Sequence, residues 1–120
     1  MFRPLLISLC LTSTALATTW TVDDDGKADF DNIQAALDAV DTGDVIAIAA
    51  GTYNESDLYI EHADITITGE VTAKGEPLVT IDGGGESGIL IAIGVVGATG
   101  ATVENIVFTG STGNALWIYH

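Results

Sequence analysis

The 120-residue chain has a single cysteine, Cys10, and it lies in an apolar N-terminal segment. The remainder of the chain therefore forms no disulfide bond and offers no thiolate for catalysis or metal binding. Histidine is almost as rare, and neither His62 nor His120 stands at a spacing typical of a zinc site. Stability must come from packing of the core or from a bound ligand.

Basic residues are also scarce, with three Lys and Arg against 17 Asp and Glu, which gives a net charge of −14. A surface of this charge is a poor partner for anionic membranes and for nucleic acid, and no nucleic-acid partner is expected. The acidic excess fits either a solvated exported surface or the binding of cations, and the sequence leaves both open.

Long hydrophobic runs are missing, apart from one short apolar stretch at the N-terminus. The segment MFRPLLISLCLTSTALA has one Arg near its start, an apolar stretch from Leu5, and Ala15-Leu16-Ala17 at its end. This pattern predicts a secretory signal peptide over residues 1–17 that is cleaved after Ala17. The stretch is too short to cross a bilayer. We therefore expect a secreted, periplasmic or cell-surface protein that is not transmembrane, with Lys27 and Lys74 as its only basic residues.

Only one segment has the periodicity of a helix. In NIQAALDAV, the apolar residues Ile33, Ala36, Leu37 and Val40 recur at the spacing of one helical face. The pattern predicts a helix over residues 32–41. Asp31, followed three residues later by Gln34, is a variant of the capping box, and Gly43 is a plausible stop.

Short strand-like segments rich in Ile, Val and Thr, and bounded by Gly, Asn or Asp, fill the rest of the chain. They are TTWTV (18–22), DVIAIAAGTY (44–53, broken at Gly51), DLYI (57–60), ADITITGE (63–70), PLVTIDGGG (77–85), GILIAIG (88–94), ATVENIVFTG (101–110) and NALWIY (114–119). Each predicts one short strand.

Two of these segments resemble each other. Residues 65–69 match residues 106–110 at an offset of 41, and Ile46 and Ile48 precede Ile65 and Ile67 by 19. Both offsets fit a repeat of about 20 residues, which is typical of a solenoid. A leucine-rich repeat is excluded because its consensus is missing.

The predicted fold class is all-β, a right-handed parallel β-helix solenoid of about three turns with an N-terminal capping α-helix. The predicted organisation is a signal peptide (1–17), an opening strand and cap helix (18–44) and β-helix turns (45–120). The sequence ends at NALWIYH, directly after an apolar strand and without a second cap. We therefore expect the natural chain to continue past His120.

The segment TWTVDDDGKADFDNIQAALDAVDTGDVIAIAAGTYNE, followed by ITITGE, closely resembles the N-terminal region of right-handed parallel β-helix proteins of the pectin-lyase-like class. Pectin methylesterases and many exported bacterial β-helix proteins share it. The likeness is strong over residues 18–70 and extends through the rest of the chain by its repeat pattern.

The resemblance implies a groove that holds acidic polysaccharide, and the activity of a polysaccharide lyase or a carbohydrate esterase. The family's catalytic aspartates and its arginine motif have no counterpart here, and Asn114 stands where a methylesterase has glutamine. The chain is thus expected to be the N-terminal part of a polysaccharide-directed protein whose active site lies beyond residue 120. The alternative is a non-catalytic, adhesin-like surface scaffold, because one fold carries many activities.

No catalytic, cofactor-binding or metal-binding residue is assigned from the sequence. In the acidic stretch DDDGKADFD, placing Gly26 at position 6 of an EF-hand loop puts Thr21 at position 1 and Asn32 at position 12, and both fail as ligands. A polar turn before a helix explains the stretch better, and calcium stays open. The other weak candidates are the loop DGGGES (82–87), the carboxylates of Asp64, Asp82 and Glu104, a sugar-stacking pair Trp117 and Tyr119, and the sequon at Asn54.

Overall fold

The computed structural model describes residues 16–93 and 100–119. The predicted signal peptide lies outside the described residues except for Leu16 and Ala17, which are exposed. His120 lies outside them as well.

Ten short strands and one short helix make up the described chain. The strands are β1 (Thr19–Val22), β2 (Val45–Ile48), β3 (Gly51–Asn54), β4 (Leu58–Ile60), β5 (Thr66–Gly69), β6 (Val79–Asp82), β7 (Leu90–Ile93), β8 (Thr102–Glu104), β9 (Ile106–Thr109) and β10 (Leu116–Tyr119), and the helix is α1 (Ile33–Ala39). Every predicted strand segment contains a strand. Two segments, 44–53 and 101–110, each contain two strands that belong to different sheets.

The strands form three parallel sheets, in the orders β1-β2-β5-β8, β3-β6-β9 and β4-β7-β10. We call them the first, second and third sheets. After β1, the chain passes through the first, second and third sheets in that order, three times. The inward side chains of all three sheets contribute to one apolar cluster, whose buried members include Ile46, Ile67, Ile81 and Leu58.

The structure contradicts the predicted fold class, a right-handed parallel β-helix solenoid with an N-terminal capping α-helix. The described residues form a small, mostly strand domain of short parallel sheets with one short helix, in which no solenoid or β-helix is detected. Its expected repeat of fixed length is absent, because Val45 pairs with Thr66, 21 residues later, whereas Thr66 pairs with Thr102, 36 residues later. The matched segments do not stack either, since β5 and β9 lie in different sheets. Alternating apolar residues next to glycine occur in strands of all the sheets. The similarity of two such segments therefore does not show which strands pair or in which register.

The glycine at position 69 is explained by a close approach of two backbone segments, which the sequence alone does not reveal. A Cβ at Gly69, on β5, would collide with the backbone carbonyl oxygen of Asn105 and press on Val79. Asn105 itself adopts a left-handed conformation with a φ of 60°, and Asp64, just before β5, does the same at 57°. Short polar side chains tolerate this conformation, which here marks sharp bends in the chain.

Helix α1 lies against β1, β2 and β4 through an apolar face. The predicted face is confirmed, because Ile33, Ala36, Leu37 and Val40 are all at most 3% exposed. The predicted capping box is wrong: the N-cap is Asn32, whose Oδ1 accepts a hydrogen bond from the backbone N–H of Ala35 at 2.8 Å.

The helix N-terminus also receives a carboxylate from a distant part of the chain. Glu55, in the connection between β3 and β4, accepts hydrogen bonds from the backbone N–H groups of Ile33 at 2.8 Å and Gln34 at 3.1 Å. These are two of the donors that a helix leaves without a partner in its first turn. Gln34 in turn accepts a bond from the backbone N–H of Tyr59 at 3.3 Å. The helix is thereby tied to the third sheet.

One connection departs from the core as a short ribbon. In residues 70–78, between β5 and β6, Val71 bridges Pro77 in antiparallel fashion and the Thr72 N–H donates to the Glu76 carbonyl at 2.9 Å. Lys74 and Gly75 are exposed at the tip of this ribbon.

Candidate ligand groove

The acidic loop, residues 23–30, leaves β1 and folds back alongside it. The backbone N–H of Asp23 donates to the Phe30 carbonyl, and the Phe30 N–H donates to the Thr21 carbonyl, both at 3.0 Å. The Asp23 carboxylate accepts from the N–H of Asp25 at 3.2 Å, and that of Asp25 accepts from the N–H of Lys27 at 2.9 Å. Short-range bonds of this kind are typical of polar turns, so the turn interpretation of this stretch is confirmed.

Asp29 fixes the loop to the outer face of the first sheet. Its Oδ2 accepts hydrogen bonds from the Thr21 backbone N–H at 2.9 Å and from the Thr21 hydroxyl at 3.0 Å. The backbone N–H of Thr21, and then its hydroxyl, lower the pKa of Asp29. Asp29 therefore anchors the loop to β1.

Between this loop and the outer face of the first sheet lies an open groove of about 440 Å³. This volume falls in the range of about 300–1,000 Å³ found for ligand sites. We call this space, lined by parts of β1, β2 and β5, the loop groove; its lining is Thr21, Val22, Asp23, Lys27, Ala28, Ala47, Ile48, Ala49, Thr68, Gly69 and Glu70. Small residues therefore line much of it, and charged side chains stand among them.

Polar atoms on the walls of the loop groove are only partly engaged. Glu70 accepts from the Ala50 N–H through Oε1 at 2.9 Å, and the Thr68 hydroxyl donates to Glu104 at 3.2 Å. Within the described part of the chain, Lys27 makes no ion pair, and no hydrogen bond reaches Oε2 of Glu70. The loop groove thus presents an ammonium group, carboxylate oxygens and a hydroxyl, which together can bind a ligand rich in hydroxyl groups.

Tyr53 is buried close enough to the acidic loop to be affected by its charges. Its side chain is 3% exposed, and its hydroxyl donates to the carbonyl of Ala49 at 2.9 Å. Burial first, and then the negative charges of Asp23 and Asp24, raise the pKa of Tyr53 to about 12. The carboxylates of the loop therefore act on a nearby buried phenol, which is not among the residues that line the loop groove.

The three carboxylates singled out from the sequence do not form a catalytic pair. Asp64 precedes β5, Asp82 ends β6 in the second sheet, and Glu104 ends β8 in the first. Asp82 accepts from the Gly84 N–H at 2.9 Å, which is a local turn contact. Glu70, which lines the loop groove, directly follows the strand motif ITITG, and no pattern in the sequence marks it as a site residue.

The remaining candidates from the sequence are two aromatic residues on β10, the sequon and the glycine-rich loop. Trp117, on β10, is partly buried, and its indole nitrogen is fully buried. The side chain of Tyr119 lies outside the description. Asn54 ends β3 and is exposed. The loop 82–87 contains left-handed glycines, including Gly84 at a φ of 64° and Gly85 at 96°.

The described residues bring together no group of three or more His, Cys, Asp or Glu side chains suited to hold a metal ion. Among residues 16–93 and 100–119, no helix has the length and apolar character needed to cross a membrane. No family model, curated protein or solved structure matches the chain.

Proposed function

We propose that the protein is an exported, polysaccharide-directed domain that holds a saccharide segment in the loop groove. The proposal depends on one observation: an open groove with a floor of small side chains, bordered by Lys27, Glu70 and the Thr68 hydroxyl. Sugar hydroxyls both donate and accept hydrogen bonds, so they can pair with an ammonium, a carboxylate and a hydroxyl at once.

The charges of the groove affect which polysaccharides fit. Asp23 and Glu70 oppose the single cation, Lys27. The acidic polysaccharide implied by the resemblance would therefore need a bridging cation, such as calcium, to approach these carboxylates. A neutral polysaccharide would need none. Lyase or esterase chemistry stays a prediction, because no contact among the described residues assigns a catalytic role to the two carboxylates that line this groove, Asp23 and Glu70.

A matched pair of threonines tests the site. Thr68 and Thr80 both face outward from inner strands, Thr68 on β5 of the first sheet and Thr80 on β6 of the second. Only Thr68 lines the loop groove. We expect Thr68→Tyr to fill the groove and weaken polysaccharide binding at least about tenfold, whereas Thr80→Tyr changes it less than about twofold.

Affinity electrophoresis measures the binding of wild type and both variants to neutral and to acidic polysaccharides. The acidic polysaccharides are tested once with calcium and once with a chelator. If no polysaccharide retards the wild-type chain, the proposal fails. That result would favour the alternative of a non-catalytic surface scaffold. Equal losses in both tyrosine variants would place binding outside the loop groove.

A further inference from the structure

Asp44 is the one charged residue among the buried side chains of the described chain, at 4% exposure. Its carboxylate receives three donors: the Thr18 backbone N–H at 2.9 Å, the Trp20 indole N–H at 3.0 Å and the Asp41 backbone N–H at 2.9 Å. The bonds from Asp41, Thr18 and Trp20, in that order of effect, lower the pKa of Asp44. The group is therefore a buried carboxylate held in its ionised form.

A buried charge is costly without a partner of opposite sign. No Lys or Arg of the described residues forms an ion pair with Asp44. His62 is near enough to contribute a small favourable charge effect, and Asp41 contributes its backbone N–H while its own side chain is exposed. The three donors to Asp44 are all neutral in the uncleaved chain.

One of these donors is the nitrogen at the predicted cleavage site. The sequence predicts cleavage between Ala17 and Thr18, and Thr18 N is the atom that donates to Asp44. Leu16, just before it, is 88% exposed, and Ala17 is exposed as well, so this stretch of chain is open to a protease.

We infer that removal of the leader creates the missing counter-ion of Asp44. Hydrolysis by a signal peptidase breaks the amide bond between the Ala17 carbonyl carbon and the Thr18 nitrogen. Water supplies hydroxide to the Ala17 carboxyl group and a proton to the new amine. An α-amine has an ordinary pKa of about 7.7–8.0, so at neutral pH it takes up a further proton. The resulting ammonium of Thr18 forms an ion pair with the buried carboxylate.

Processing therefore stabilises the fold as well as releasing the chain. The inference rests on the exported character in the proposed function and is independent of the loop groove. The carboxylate favours the charged amine and raises its pKa above the ordinary value. The added stability is accordingly present below about pH 8 and is lost as the pH rises through the raised pKa of the amine.

The test compares the chain that begins at Thr18 with the same chain acetylated at Thr18, which keeps the N–H but not the charge. At pH 6.5 we expect the free amine to raise the melting temperature by roughly 4–8 °C, the shift that corresponds to about 1 kcal/mol in a domain of about 100 residues. The difference should shrink towards zero by about pH 10. Equal melting temperatures at pH 6.5 would overturn the inference.

Three further measurements separate the possible failures. Asp44→Asn should remove the difference between free and acetylated chains, and a difference that persists would overturn the pairing. If this variant does not fold, the pKa of the Thr18 amine in the wild-type chain is measured from its pH-dependent acylation rate. A value at or below about 8 contradicts an ion pair. Mass determination of the exported chain tests the cleavage itself, and an N-terminus other than Thr18 would overturn the inference while leaving the saccharide proposal untouched.

Discussion

At the scale of single residues, Tyr53 links the core to the acidic loop. Its phenol is buried and carries a pKa of about 12, above the ordinary value of 10.0. An acid whose pKa is raised on folding keeps its proton longer in the folded state than in the unfolded state. Stability from this group is therefore complete below about pH 10 and falls as the pH rises from 10 towards 12.

We expect Tyr53→Phe to remove this alkaline loss. At pH 7 the variant should be less stable by about 1 kcal/mol, because the hydroxyl no longer donates to the Ala49 carbonyl. Urea denaturation at pH 7 and at pH 11 measures both effects. Tyr59→Phe, at a side chain that is 39% exposed, is the matched control and should leave the pH dependence unchanged. A parallel decline of Tyr53→Phe and wild type above pH 10 would contradict the assignment.

Gly69 has no room for a side chain. Because a Cβ at this position would collide with the Asn105 carbonyl oxygen, Gly69→Ala should destabilise the fold by about 1–3 kcal/mol. Thr66→Ala on the same strand removes side-chain atoms without adding any near Asn105, and should cost less. Thermal unfolding of the two variants compares them directly, and an equal loss would show that the backbone at Asn105 moves away freely.

At the scale of elements, helix α1 has only seven residues and is stabilised from outside itself. Isolated helices of this length are not stable in water. We expect Glu55→Ala, which removes both bonds to the first turn, to lower the free energy of unfolding by about 1–2 kcal/mol. Glu61→Ala, at an exposed acid, is the control for loss of charge, with little expected effect. Chemical denaturation followed by circular dichroism measures both; similar losses would contradict a capping role for Glu55.

The elements themselves were largely predictable, because each one carries a local signal. The spacing of Ile33, Ala36 and Leu37 marks a helix face, and Ile65 and Ile67 alternate with threonine as a strand requires. The contacts that hold these elements together were not predictable. Glu55 reaches Ile33 across 22 residues and Thr18 reaches Asp44 across 26, and no local pattern specifies such pairs.

The candidate site was predictable only in part, for the same reason. The acidic stretch and its turn could be read from the sequence, but the loop groove arises where this turn meets β2 and β5, strands that follow it in the chain. Glu70 lines the loop groove only because this turn lies against β2 and β5. The sheet register, in turn, depends on unequal connection lengths that no repeat pattern contains.

At the scale of the whole molecule, burial is uneven along the sheets. Ile67, on β5, is 1% exposed, whereas Ile106, on the edge strand β9, is only partly buried. The same change at both positions should therefore have different effects. We expect Ile67→Ala to cost about 2–5 kcal/mol, the usual range for a buried isoleucine, and Ile106→Ala roughly half of that. Urea denaturation measures both losses. A larger drop in the midpoint for Ile67→Ala than for Ile106→Ala, with equal slopes, would support this order, and a reversed order would contradict the packing described.

Charge is uneven at the same scale. Of the 17 acidic residues, only Glu104 lies beyond residue 86. The strands β8, β9 and β10 thus belong to a part of the chain that is almost uncharged, while the other 16 acids lie between residues 23 and 86. Long-range repulsion between two copies would be weakest where these three strands lie.

The ribbon of residues 70–78 has a consequence for engineering and for evolution. The parallel pairs of β5 and β6 form on either side of it, and the antiparallel bridge between Val71 and Pro77 closes its base. Loop-closure entropy grows only slowly with length, so extra residues at the exposed tip, between Lys74 and Gly75, would add little cost. A foreign epitope could be displayed there, and natural descendants could acquire new recognition loops at this tip without disturbing the strand register beneath.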